Sequence, residues 1–298
     1  MPSGPFINAD YRAIHKPLDR VFENHLLAAI PAPVFALLAP HFKQIPLNQG
    51  AVLHEPETPI ETAYFPLSGV VLLLAVMKAG EAVETAIVGR EGAIGLIGHI
   101  GPSQAHTRAT VQVPGIAKAI PVAVLRRVAL QSEHVRGLIA RYQEMLLQQT
   151  QQMVACNALH SLEERMARWL LEVSDRINDT ELPVTQEILG QVLGVRRTTV
   201  TLIAQKLQQE GRIRYRRGHI AIINPDALRT VACECYDVNR GADASLVEMT
   251  VGVGPNRPRM NRQIAARLMI HLSSGLWLMT RLHQRRDAAD ASRAPIPA

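Results

Sequence analysis

No apolar run in the 298 residues approaches the ~20 needed to cross a bilayer; the longest strong one, Val70 to Met77, has only the length of a strand. A membrane span is therefore not expected. The first residues, MPSGPFINADYRAIHK, hold no basic region followed by an apolar stretch, so no secretion signal is read and a cytoplasmic location is expected. Cysteine is scarce: Cys156, Cys233 and Cys235 are too few and too late in the chain for a disulfide framework. Cys233 and Cys235 form a Cys-Glu-Cys pair, but one intervening residue is not the usual zinc spacing and no second pair accompanies it. Reduced thiols, with no metal site, are the expectation. Paired carboxylates, a nucleophile with its base, and a phosphate-cradling loop do not appear with convincing spacing either; Gly95 and Gly98 lack a strand-to-helix context. No catalytic residue is assigned and no enzyme activity is expected.

What is present points elsewhere. A hydrophobic content of 47% can bury a sizeable core, and the length favours two domains. The net charge of +6 permits an anionic partner, and its distribution says where one would dock. Lys43 to Lys118 holds five basic against six acidic residues, whereas Pro183 to His219 holds seven against two.

From about Ile45 to Ile120, short apolar or alternating runs are broken by glycines at 50, 69, 80, 89 and 92 and prolines at 46, 56, 59 and 66. That spacing predicts an antiparallel sandwich or roll. After Pro121 the period lengthens. Leu138, Tyr142, Met145, Gln149, Gln152 and Cys156 follow steps of three and four, predicting one long helix with a coiled-coil seam. The glutamines suit a partly wet dimer interface, with packing on the helix's own domain as the other reading. A second helix spans Leu162 to Ile177. Beyond Asp237 the pattern loosens; Asn261 to Arg286 permits an amphipathic helix, in an extension read as loosely ordered with a disordered end.

Between Thr185 and Gly218 the residues are more specific: TQEILGQVLGVRRTTVTLIAQKLQQEGRIRYRRG. Thr185 caps a first helix whose apolar face is Ile188, Leu189, Val192 and Leu193, and Gly194 supplies a turn. A second helix repeats the pattern with Val200, Ile203, Ala204 and Leu207 and ends at Gly211. This is a helix-turn-helix, whose second helix enters the major groove of double-stranded DNA by its N-terminal residues. Arg197 carries the fork that bonds both acceptors on a guanine edge; Arg196, Thr198, Thr199 and Thr201 stand around it. Thr185 and Gln186 are placed for phosphate, and the arginines of RIRYRRGHIAII, Arg216 and Arg217, flank the turn of a hairpin wing.

On YFPLSGVVLLLAV and VGREGAIGLIG, the long helix, the winged segment and CECY, the chain from about Asn24 to Tyr236 resembles the Crp/Fnr family of bacterial transcription regulators. The resemblance implies an α+β chain: a cyclic-nucleotide-binding-like antiparallel β-roll over 24–132, a dimerisation helix and hinge over 133–160, a winged helix-turn-helix over 161–236, and an extension over 237–298. It implies a homodimer on a two-fold symmetric site, acting with RNA polymerase, with a hinge near His160 coupling a small-molecule effector to the reading heads. Arg197 matches the family's arginine, while Thr198 stands where a glutamate is common and Arg196 where a serine is. The effector pocket would involve Gly95, Arg108 and Thr110. Here the pattern departs: Leu96 follows Gly95 in place of the ribose-binding glutamate, and Ala109 follows Arg108 in place of a hydroxyl, so cyclic nucleotide is disfavoured. The N-terminal cysteines of the iron–sulfur branch are missing. No cofactor is expected, heme on His54 or His99 being left open. A second reading is a ligand-sensing interaction protein whose winged helix docks a protein partner.

Overall fold

The computed structural model describes residues 24–96, 104–216 and 218–250. Among these, no helix is long and apolar enough to cross a membrane. Two short helices, α1 (His25–Ala28) and α2 (Ala32–Leu38), lead into β1 (Lys43–Leu47), β2 (Val52–His54), β3 (Thr62–Pro66), β4 (Val70–Val76), β5 (Ala82–Val88), β6 (Arg108–Val113) and β7 (Gly115–Pro121). These form two antiparallel sheets, ordered β1-β7-β3 and β2-β6-β4-β5.

The sequence VVLLLAV of β4 is apolar at every position because both faces of its sheet are covered. Val71 and Leu73 pack inside the roll with Val88, Ala109 and Val111. The alternate residues Val70, Leu72 and Leu74 join Ile87, Met166, Trp169 and Leu170 in a second cluster. An unbroken apolar strand is what a sheet buried on two sides requires. Met166, Trp169 and Leu170 belong to α5 (Leu162–Ile177), so roll and C-terminal helices share one core.

After α3 (Val122–Gln131) the long helix α4 (Glu133–Leu159) is capped by Ser132, whose hydroxyl accepts from the Val135 amide. Its more apolar face corrects the expected dimer seam. Leu138, Tyr142 and Met145 are buried against the roll and α3 of the same chain. Tyr142 is 0% exposed and its hydroxyl donates to Ala93 O at 2.7 Å. Gln149 donates to Ile87 O and Gln152 to the Cys235 sulfur, while Cys156 is buried beside Cys233 and Cys235. The glutamines read as a wet interface are thus bonded within the chain, because a buried amide needs a partner wherever it lies. The outward face carries a heptad series instead: Ala140, Leu147 and Val154, interleaved with Glu144, Gln151 and Ala158, all exposed.

α5 begins with a reciprocal capping box between Ser161 and Glu164. β8 (Glu181–Leu182), α6 (Gln186–Leu193), α7 (Arg197–Gln209), β9 (Ile213–Arg216) and β10 (His219–Ile222) follow, the strands ordered β8-β10-β9. α8 (Pro225–Arg229) and α9 (Cys235–Thr250) end the described chain. The expected boundary between 236 and 237 therefore falls inside α9, which runs through Gly241 because it is packed: Asn239 donates to Glu172 of α5 at 2.8 Å. The helix read over Asn261 to Arg286 and the C-terminal tail lie outside the described residues.

Candidate nucleic-acid interface

Thr185 Oγ1 accepts from the Ile188 amide at 3.2 Å, starting α6. Gly194 ends it at φ +66°, the left-handed conformation that glycine adopts without strain. A Cβ at Gly190 would stand 2.9 Å from Val195 O, so the missing side chain lets the turn fold back on α6. Leu189, Val192 and Leu193 then bury against Val200, Ala204 and Leu207 of α7. That packing fixes which face of α7 is outward.

The outward face holds Arg196, Arg197, Thr198 and Thr199, all exposed. No side chain caps α7. Neither Arg196 nor Arg197 has an ion pair or side-chain hydrogen bond among the described residues. Free guanidinium groups, uncapped first-turn N–H groups and the positive end of the helix dipole make one anion-seeking surface. Thr201 stands apart from the other predicted contacts: its hydroxyl lies 2.9 Å from Gln186 Oε1 and 3.0 Å from Arg197 O. It braces the two helices. In the wing, Arg216 pairs across the sheet with His219 and is exposed, whereas Arg214 is 3.8 Å from Glu181. Arg217 lies outside the described residues.

The expected effector residues do not converge. Gly95 lines a cavity of ≈ 30 Å³ with Ile94, Leu96, Ala105, Tyr142 and Leu146, between roll and α4. Arg108 is instead held by Glu55, Nε to Oε2 at 2.9 Å. Thr110 sits mid-strand on β6, between Val52 and Leu72, its hydroxyl buried with no hydrogen-bond partner among the described residues. The strand pairing that places Arg108 beside Glu55 spends the charge a phosphate would need. His54 Nε2 is engaged with Thr62 O at 3.0 Å, and His99 lies outside the described residues.

Sequence reasoning missed the polar joint between roll and reading head. Trp169 Nε1 donates to Glu84 Oε2 at 2.7 Å, Arg176 pairs with Glu91 at 2.8 Å, and Arg168 pairs with Glu172 at 2.8 Å, all buried. Burial pushes the Glu84 carboxyl up to about 7, against the pull of Arg168 and the Trp169 bond. Nothing local marks Glu84: its place in AVETAIV reads as a solvent-facing strand position, and its partner lies 85 residues away.

A β-roll thus shares its core with a winged helix-turn-helix that presents a bare cationic first turn. Residues 164–231 match the family model of the Crp-like helix-turn-helix domain. The chain is 20% identical over 191 residues to the global nitrogen regulator of Synechococcus elongatus, covering 61% of this chain and 86% of that one. Its fold is similar to a transcriptional regulator of the Crp/Fnr family from Eubacterium rectale, with TM-score 0.56 and 18% identity over 69% of this chain and 96% of that one. FixK2 from Bradyrhizobium japonicum superposes with TM-score 0.57 at 17% identity, covering 64% and 98%. Residues 164–231 thus carry a Crp-like helix-turn-helix domain, and the fold of the chain is similar to that of solved Crp/Fnr regulators.

Proposed function

We propose that this chain is a homodimeric, non-enzymatic regulator that binds a two-fold symmetric site on double-stranded DNA. The observation that carries this reading is the first turn of α7, where Arg196, Arg197, Thr198 and Thr199 stand exposed with no partner for either arginine among the described residues. Arg197 reads a guanine edge, Thr198 and Thr199 offer hydroxyl and methyl groups to neighbouring bases, and Thr185, Gln186, Arg216 and Arg217 hold the backbone. Arg196, at the N-cap, adds a phosphate contact.

Dimerisation runs along the outward heptad of α4. Leu147 and Val154 are 58% and 67% exposed, seven residues apart, at positions where a second α4 would seat them. A parallel pair of such helices imposes its two-fold axis on the DNA, placing half-sites about one helical turn apart. RNA polymerase is the further partner that the regulator class implies, and the cytoplasm is where such a protein works. The polar joint through Trp169 and Arg176 is the route by which a signal in the roll alters the pose of the reading head. Cyclic nucleotide does not suit the pocket, because Arg108 is already neutralised by Glu55.

Selection from random duplex DNA by the purified chain, at near-physiological salt and without added ligand, tests the reading. Enrichment of a palindromic site supports it. Failure to enrich any sequence, with or without cell extract, favours a protein-docking role for the winged helix.

A further inference from the structure

Four metal-ligating side chains meet at the hinge. Cys156 and His160 lie one turn apart at the end of α4, His160 being its C-cap; Cys233 and Cys235 come from the joint between α8 and α9. The ligand atoms of all four lie within 4.8 Å of one another. Cys156 Sγ is 3.6 Å from Cys233 Sγ, and Cys235 Sγ is 3.5 Å from His160 Nδ1. We propose that Cys156, His160, Cys233 and Cys235 form a four-coordinate Zn²⁺ site that pins the end of the long helix to the C-terminal end of the reading head.

The spacing selects among the chemistries open to such a cluster. A tetrahedral ion with Zn–S bonds of ~2.3 Å sets its sulfurs ~3.8 Å apart, close to what is found. A two-iron cluster divides its ligands between separate metals and needs a wider set. A disulfide draws two sulfurs to ~2.05 Å and leaves the other two ligands without a task. Three thiolates and an imidazole are also the donor set that borderline-soft zinc prefers over hard cations.

The surroundings are those of a ligand set. His160 Nε2 faces Glu234 Oε2 at 3.1 Å. With the Nε2 proton donated there, the Nδ1 lone pair points at the sulfurs, the carboxylate–histidine–metal arrangement that orients a ligating imidazole. Gln152 Nε2 donates to Cys235 Sγ at 3.0 Å. Three thiolates outnumber the charge of a dication, and Arg165 and Arg168 lie within electrostatic reach of Cys156 to offset the excess. All three cysteines are buried, with only the histidine edge reaching solvent. Nothing in the spacing of Cys233 and Cys235 gave this away, because their partners come from a helix more than seventy residues upstream.

The test is the metal content of the full chain purified under reducing conditions without chelator. About one zinc per chain is expected, and Co²⁺ exchanged into it should give the intense visible and sulfur charge-transfer bands of a tetrahedral thiolate site. Stripping the metal with a strong chelator should lower the Tm, and re-adding Zn²⁺ should restore it. Cys233→Ser and His160→Ala should lose the stoichiometric metal. Should these variants misfold, Glu234→Gln, an exposed change, keeps the fold and should weaken zinc affinity by roughly 10-fold or more. Metal-free protein that gives no Co²⁺ bands while all three thiols titrate as reduced would overturn the site. Stoichiometric iron in place of zinc would overturn the assignment of the ion, and an unchanged affinity in Glu234→Gln would overturn the role of His160. None of these readings depends on DNA binding, so they stand or fall apart from the regulator reading.

Discussion

Two arginines set the range of what a single residue does here. Arg168 is 1% exposed and paired with Glu172, so its charge is spent on the fold, whereas Arg197 is exposed and has no ion-pair partner among the described residues. Replacing Arg197 by alanine should cost roughly 1 to 3 kcal/mol on a selected site and little on random duplex, relaxing choice at one position per half-site. Equal losses on both DNAs, measured by fluorescence anisotropy, would remove it from base reading. Arg216→Ala should weaken all sequences alike and make the plot of log affinity against log salt shallower by about one unit. Glu84 titrates where few carboxyls do. Its folded value of about 7 stands above the ordinary 4.5, so the folded chain holds a proton that the unfolded chain releases. Its presence therefore costs nothing in acid. Stability falls by about 3 kcal/mol as pH rises from the ordinary value through 7, then levels off. Urea unfolding at pH 5 and pH 8 should show this slope in the wild type and its loss in Glu84→Gln, which still accepts from Trp169; an identical slope in both would acquit Glu84. Arg197 was legible in the sequence because a helix face with no apolar residue must look outward. Glu84 was not, because the tryptophan that buries it comes from a distant helix.

At the scale of elements, α4 shows what periodicity settles and what it leaves open. Steps of three and four announced a long helix, and the structure has one from Glu133 to Leu159. Which of its two heptad series faces a partner could not be read, since both are apolar and the roll claims the richer one. The distinction is measurable. Val154→Asp, alone or with Leu147→Asp, should make the protein monomeric at micromolar concentration in sedimentation while leaving the far-UV circular dichroism of the folded chain unchanged, because both residues are exposed in the single chain. Tyr142→Ala should do the opposite, lowering stability by about 3 to 5 kcal/mol through a cavity and an orphaned Ala93 carbonyl without touching the outward face. A dimer that survives both aspartates would return the interface to other elements. The winged helix was the most legible element. Its capping threonine, turn glycine and apolar spacing are local signals, and they needed no distant partner to form.

For the molecule as a whole, length favoured two domains and the resemblance implied a sensor roll and a reading head, yet the described core is continuous through Val70, Leu72 and Leu74 to Trp169. Cooperative unfolding follows from a core that neither half can keep alone. With Trp277 replaced by phenylalanine, fluorescence reports Trp169 alone, and its thermal transition should coincide with that followed by far-UV circular dichroism. An earlier fluorescence transition would mean that the reading head lets go first. The continuity of β4 also bears on how such a protein changes over evolutionary time. A reading head grafted from a relative would meet a sheet whose outer face was shaped for a different helix, and a sensor cut free would present bare valines and leucines to water. Roll and head are thus obliged to drift together along their joint, and under the proposed function new DNA targets are reached most cheaply by exchanging the few exposed side chains on the first turn of α7.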